Sequence, residues 1–268
     1  MTDDVRVGVR DVETGDDRVV RVFTFQRPAQ RNPIDLATLR ELDPLLAAAV
    51  DDERVRAVVL TGDGPAFSAG GDLRGYLSLY EDPPAFRDYL VRFAAVCTRL
   101  ETVDVITIAM VNGACVAGGL EIALACDLMI AADTATIADG HLVFGQLPGA
   151  GGSQRLCRAI GLQKAKELLL TGRTIDAHEA AAIGLVAEVV PADDLEQRVI
   201  EIAAAAAGHS RLGVKRMKEL IVVSQDEDRA TALQAEMDLV VDYATSSHDA
   251  TEGLHAFLER RPPRWQGR

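Results

Sequence analysis

The chain has 268 residues, 48% of them hydrophobic, with a formal net charge of −13. That length buries a full core, as one large domain or a domain with an appendage. The acidic balance, with no Lys/Arg cluster, speaks against a nucleic-acid partner held through its phosphates, so an anionic ligand must be met by a few cations or by backbone amides. Every apolar stretch falls short of the roughly 18 to 20 residues that cross a bilayer, and the acidic start Met1-Thr2-Asp3-Asp4 lacks the regions of a signal peptide. No membrane association and a cytoplasmic location are the expectations. Cys97, Cys115, Cys126 and Cys157 lie far apart without a Cys-x-x-Cys, which reads as buried thiols and no metal or redox site.

The alternation Val20-Arg21-Val22-Phe23-Thr24-Phe25 predicts a strand, and Asp35 to Val50 has helical spacing. Val55 to Thr61 reads as a strand, followed by a Gly-rich loop over Gly62 to Gly71 and a helix from about Pro84 to Leu100. The order then recurs: strand at Val105 to Val111, loop at Asn112 to Gly119, short helix at Leu120 to Cys126, strand at Asp127 to Ala131. This recurrence argues for α/β architecture. After Pro148 helices dominate (Ala192–Ala207, Arg211–Val223, Arg229–Tyr243 and Asp249–Arg260), with only Leu185 to Val190 strand-like. A core over 1–200 and a helical region over 201–268 are therefore expected. The tail Arg261-Pro262-Pro263-Arg264-Trp265 cannot continue a helix, and Trp265 is either pinned to a neighbour or loose.

Two loops follow apolar strands and place small residues where a backbone can approach a ligand: Ala66-Phe67-Ser68-Ala69-Gly70-Gly71-Asp72 and Asn112-Gly113-Ala114-Cys115-Val116-Ala117-Gly118-Gly119. The second opens a helix whose first N–H groups lack helical partners, the raw material of an oxyanion hole, although each loop alone also reads as a plain tight turn. Glu121 stands among apolar neighbours at the start of that helix. It is either an acid favoured by the helix dipole or a general base or acid beside the amide pocket. Pro148 to Arg155 is Gly-rich but lacks the ending of a P-loop, and neither a Gly-x-Ser-x-Gly elbow nor a zinc-protease His pair occurs. Of the five histidines, His141 alone sits in a turn, Asp139-Gly140-His141, just beyond the Glu121 helix and its following strand.

Arg27-Pro28 through Arg31-Asn32-Pro33, Ala66 to Leu73, Asn112-Gly113 with Ala117 to Glu121, Cys126-Asp127, Pro148 to Leu156 and Leu170-Thr171-Gly172 resemble, in order and spacing, the signatures of the crotonase (enoyl-CoA hydratase/isomerase) superfamily. The resemblance runs from about residue 18 to residue 260 and implies a spiral of ββα units with a C-terminal helical trimerisation region, assembled as homotrimers or homohexamers. It further implies an acyl-CoA substrate, with coenzyme A entering as part of that substrate and no separate cofactor. The matching oxyanion donors are the N–H groups of Ala69 and Gly118. CoA would lie across Ala66, Ser68 and Ala69, with Arg31 and Arg74 either meeting its phosphates or staying solvated.

Glu121 matches one of the two glutamates of the family's hydratases. At the second position, four residues before Gly145, stands His141. Either His141 replaces that acid, or Asp139 reaches in, or the chemistry differs. Hydration or dehydration of a 2-enoyl-CoA is the leading expectation. Isomerisation, decarboxylation, retro-aldol cleavage or C–C hydrolysis on the same thioester, and a non-catalytic acyl-CoA-binding scaffold, are the alternatives. Tyr76, Leu77, Leu79, Tyr80 and Phe86, within Arg74 to Tyr89, are expected to wall the acyl pocket; fatty-acid metabolism is the default pathway.

Overall fold

β-branched residues suit a pleated, buried surface, and here they set the frame. The computed structural model describes residues 5–15 and 17–268, so the acidic start Met1-Thr2-Asp3-Asp4 lies outside it. Strands β1 (Val7–Glu13) and β2 (Val19–Phe25) form an antiparallel hairpin. Helix α1 (Leu36–Asp51), capped by the Asp35 side chain accepting from the Thr38 N–H at 2.8 Å, leads to β3 (Val55–Gly62). The near-continuous burial of β2 and β3 is what a parallel strand covered on both faces requires.

From β3 onward the chain winds as a spiral. After β3 comes the short β4 (Ala66–Ser68), then helices α2 (Leu73–Tyr80) and α3 (Pro83–Thr102). Next come β5 (Ile106–Val111), β6 (Ala114–Val116) and α4 (Gly118–Ala125), and then β7 (Leu128–Ala132) and β8 (Thr136–Ala138). In each unit the first strand joins a larger sheet and the second a smaller one. α5 (Gly152–Ile160), α6 (Leu162–Thr171), β9 (Ile175–Asp176), α7 (Ala177–Ala182) and β10 (Glu188–Val190) complete the two layers. The larger sheet has the order β1-β2-β3-β5-β7-β10 and the smaller β4-β6-β8-β9.

Helix α8 (Leu195–Ala207) runs across the expected boundary at residue 200, and its Leu195, Val199 and Ala203 belong to the same apolar core as the sheet. After α8 come the helices α9 (Arg211–Asp226), α10 (Arg229–Ser246) and α11 (His248–Glu259). Lys218 of α9 ties this region to the core: it is buried and donates to the Leu100 and Val105 carbonyls and to Asp127 Oδ2 at 2.8 Å. The tail is pinned rather than loose, because Trp265 Nε1 donates to the Gly208 carbonyl at 2.6 Å.

Candidate active site

Between β6 and α4 the chain turns through Ala117, whose φ of 50° is unusual for a residue with a Cβ. Such a conformation costs on the order of 1–3 kcal/mol and persists only where the surroundings enforce it. Here the Ala117 N–H donates to the Ala138 carbonyl at 3.1 Å. No side chain caps α4, and the N–H of Gly118 has no acceptor among the described residues.

The loop after β4 lies against this turn, since a Cβ on Gly70 would stand 3.0 Å from the Gly118 nitrogen. Along that loop the Ala69 N–H donates to the Arg31 carbonyl at 2.9 Å and the Gly70 N–H to Ser68 Oγ at 3.1 Å. The Gly71 N–H has no acceptor among the described residues, and Gly71 lines the cavity below. Of the two expected donors, Ala69 thus has its N–H already spent, while Gly118 and the neighbouring Gly71 keep theirs open among the described residues. A Cβ on Gly71 would stand 1.9 Å from the Tyr76 hydroxyl, so a larger residue here requires that tyrosine to move.

Glu121 sits one turn into α4 and is 2% exposed. Its Oε1 accepts from the N–H groups of Ala150 and Gly152, both at 2.8 Å, so the Gly-rich segment that failed as a P-loop holds this carboxylate at the N-terminus of α5. Only glycine fits at 152, because a Cβ there would approach Glu121 Cγ to 2.9 Å. Burial pushes the Glu121 carboxyl above the usual carboxylate range, although the two N–H groups and His141 work in the other direction. The segment is braced from behind: Arg155 pairs with Glu101 and donates to the Ala150 carbonyl.

His141 Nε2 stands 3.7 Å from Glu121 Oε2, and its Nδ1 is 2.9 Å from Asp139 Oδ1. Asp139 does not line the cavity; it is buried and holds the imidazole and the His141 N–H, the latter at 3.3 Å. Glu121 and His141 open together into a cavity of about 360 Å³. Of the residues expected in its wall, Tyr76, Tyr80 and Phe86 are there, joined by Tyr89, Phe93 and Phe144. Leu77 is instead 71% exposed, and Leu79 packs against the core.

The residues expected to meet CoA divide. Arg31, Ala69 and Arg74 are exposed, and neither arginine forms an ion pair among the described residues. Ala66 and Ser68 are 0% exposed, and the Ala66 carbonyl is taken up by Asn32 Nδ2 at 2.7 Å, so these two have no surface to offer a nucleotide. Gly71 and the 150–152 segment were missed as site residues, because only the folded chain shows which N–H is spent and which reaches the carboxylate; Asp139, weighed as an acid reaching into the site, instead holds the imidazole.

Two sheets fed by ββα units, with an acid–imidazole pair beside two open N–H groups, define a protein of the crotonase class. The family model for enoyl-CoA hydratase/isomerase matches residues 16–268, and the chain belongs to that enzyme family. It is similar to a probable enoyl-CoA hydratase of Mycobacterium tuberculosis, 37% identical with 94% of this chain and 96% of that one covered. The 2,3-dehydroadipyl-CoA hydratase of Escherichia coli is 34% identical, with 93% and 96% covered. An enoyl-CoA hydratase structure from Bacillus anthracis superposes with a TM-score of 0.90 at 35% identity, covering 98% of this chain and 100% of that one.

Proposed function

We propose that the protein adds water to, and removes it from, the double bond of a 2-enoyl-CoA, working through an enolate whose oxygen is held by the N–H groups of Gly71 and Gly118. The observation that carries this is the convergence of Glu121 Oε2 and His141 Nε2 at 3.7 Å in one cavity. That gap is too long for a direct hydrogen bond and leaves room for an oxygen about 2.8 Å from each. One group takes a proton from the water as its oxygen bonds C3; the other delivers a proton to C2. The two N–H groups meet charge that builds on the thioester oxygen only as the reaction proceeds, and one such donor is typically worth about 3 to 4 kcal/mol. His141 thus stands in for the family's second acid. CoA forms part of the substrate, and the exposed Arg31 and Arg74, neither in an ion pair among the described residues, are the cations proposed for its phosphates.

Assembly as a homotrimer or paired trimers is part of the same proposal. Its support is the apolar surface on the C-terminal helices, where Met217, Ile221, Met237, Val241, Leu254 and Phe257 are exposed. A cytoplasmic location also belongs here, supported by four free cysteines. Turnover of crotonyl-CoA and a longer 2-enoyl-CoA, followed by loss of the conjugated thioester absorbance, tests the activity. Wild type is expected to hydrate both and Glu121→Gln to be slower by about 10²- to 10⁴-fold; an inert wild type would overturn the reading.

A further inference from the structure

Aromatic rings dominate the lining of the cavity. The chain holds 7 Phe, 4 Tyr and 1 Trp, and half of these aromatic residues, Tyr76, Tyr80, Phe86, Tyr89, Phe93 and Phe144, line this one cavity. Their arrangement is a herringbone. Tyr76 and Tyr80 stack at 6.0 Å and 19°, and Phe86 stands edge-on to both, at 6.2 Å and 71° and at 5.0 Å and 79°. Tyr89 and Phe93 continue it at 5.9 Å and 62°.

The phenol groups are turned to the protein. Tyr89 donates to the Ile34 carbonyl at 2.8 Å, which uses its only proton, so Tyr76 must donate to Tyr89 across their 3.1 Å contact. The Tyr80 hydroxyl is bonded to Gln146. What the lining offers a ligand is therefore mainly ring faces and edges, with Leu73, Leu90, Leu147 and Pro148 filling in between. Among the described residues no Lys or Arg lines the cavity, and its ionisable groups besides the phenols are Glu121 and His141. An acyl chain ending in a carboxylate would find no counter-charge there. A flat aryl group meets edge-to-face contacts that an alkyl chain cannot make, and it has fewer rotors to immobilise.

We propose that the acyl group is a 3-aryl-2-enoyl thioester of the cinnamoyl class, an assignment that rests on the hydratase reading above. Water adds across C2=C3: its oxygen bonds C3, the π pair takes a proton at C2, and the second proton of the water returns to the acid–imidazole pair. The reverse step regenerates water and the alkene. Hydration breaks the conjugation between ring, alkene and thioester, so equilibrium favours the alkene and dehydration is the direction to assay.

The test compares kcat/KM for 3-hydroxy-3-phenylpropanoyl-CoA and 3-hydroxyoctanoyl-CoA in wild type and Phe86→Leu. The aryl substrate is expected to lead by about tenfold, the worth of one or two favourable ring pairs, and to lose most of that lead in Phe86→Leu. Equal or better use of the octanoyl substrate by wild type would overturn the proposal. If neither is turned over, the hydratase reading fails by itself. The Kd values of cinnamoyl-CoA and 2-octenoyl-CoA for Glu121→Gln, by calorimetry, then decide the acyl group: about tenfold tighter aryl binding supports it, and equal affinity overturns it.

Discussion

Asp139 Oδ1 accepts the proton of His141 Nδ1 at 2.9 Å while the imidazole's other nitrogen faces Glu121. A carboxylate offers only acceptors, so Nδ1 carries a proton in every charge state of the ring, and Nε2 is the atom that exchanges one with substrate or water. Asp139 is thus a positioning residue that fixes both the tautomer and the ring's orientation.

Replacing Asp139 by Asn keeps the shape but lets an amide N–H₂ face Nδ1, which favours the opposite tautomer. Asp139→Asn is expected to lower kcat by about 10²- to 10³-fold with KM within about threefold of wild type. A wild-type kcat in Asp139→Asn would remove Asp139 from the mechanism.

Burial raises the Glu121 carboxyl, which makes ionisation harder in the folded chain than in the unfolded one. The folded value lies above the unfolded one, so wild type loses stability as pH climbs from the unfolded value through the folded one. Glu121→Gln keeps an oxygen for the Ala150 and Gly152 N–H groups and cannot ionise. Its melting temperature relative to wild type is therefore expected to rise as pH climbs from about 4 and to level off above the folded value, with scans run to about pH 8, while activity is lost. Thermal scans across that range check it, and a constant difference would mean that the carboxylate is not penalised by burial.

Long periodic elements were legible in the amino-acid sequence: β2, β3 and β5, helices α1 and α3, and the C-terminal helices each span enough residues to show a period. β4, β6, β8 and β9 have only two or three residues each, too few for alternation to register, and they exist because pairing builds the smaller sheet. β1 was missed because Gly8 and Asp11 break its apolar pattern; its order comes from the hairpin with β2. Glu121 and His141 could be placed from motif position alone. Gly71 could not, since the choice between it and Ala69 depends on the Arg31 carbonyl reaching Ala69 across the fold.

Trp265, the only tryptophan, reports on a docked tail that carboxylates hold in place. Glu252 accepts from Arg261 at 2.6 and 2.9 Å and from the Arg264 N–H at 2.6 Å, and these bonds, that to Arg261 foremost, bring its carboxyl down to about 2. Asp249 accepts from the Gln266 and Gly267 N–H groups and from Ser210; although its burial works the other way, these bonds hold it below the usual range. Both folded values are depressed, so the docking energy is fully present above the unfolded carboxylate range and is lost as pH falls towards 2. Tryptophan emission is expected to stay constant from pH 8 to about 5 and to shift red as acid undocks the indole. Glu252→Gln cannot form the ion pair with Arg261, so its emission at neutral pH is expected to be red-shifted already, with a smaller change on acidification. An emission maximum in Glu252→Gln that matches wild type at every pH would show that Glu252 does not hold the tail.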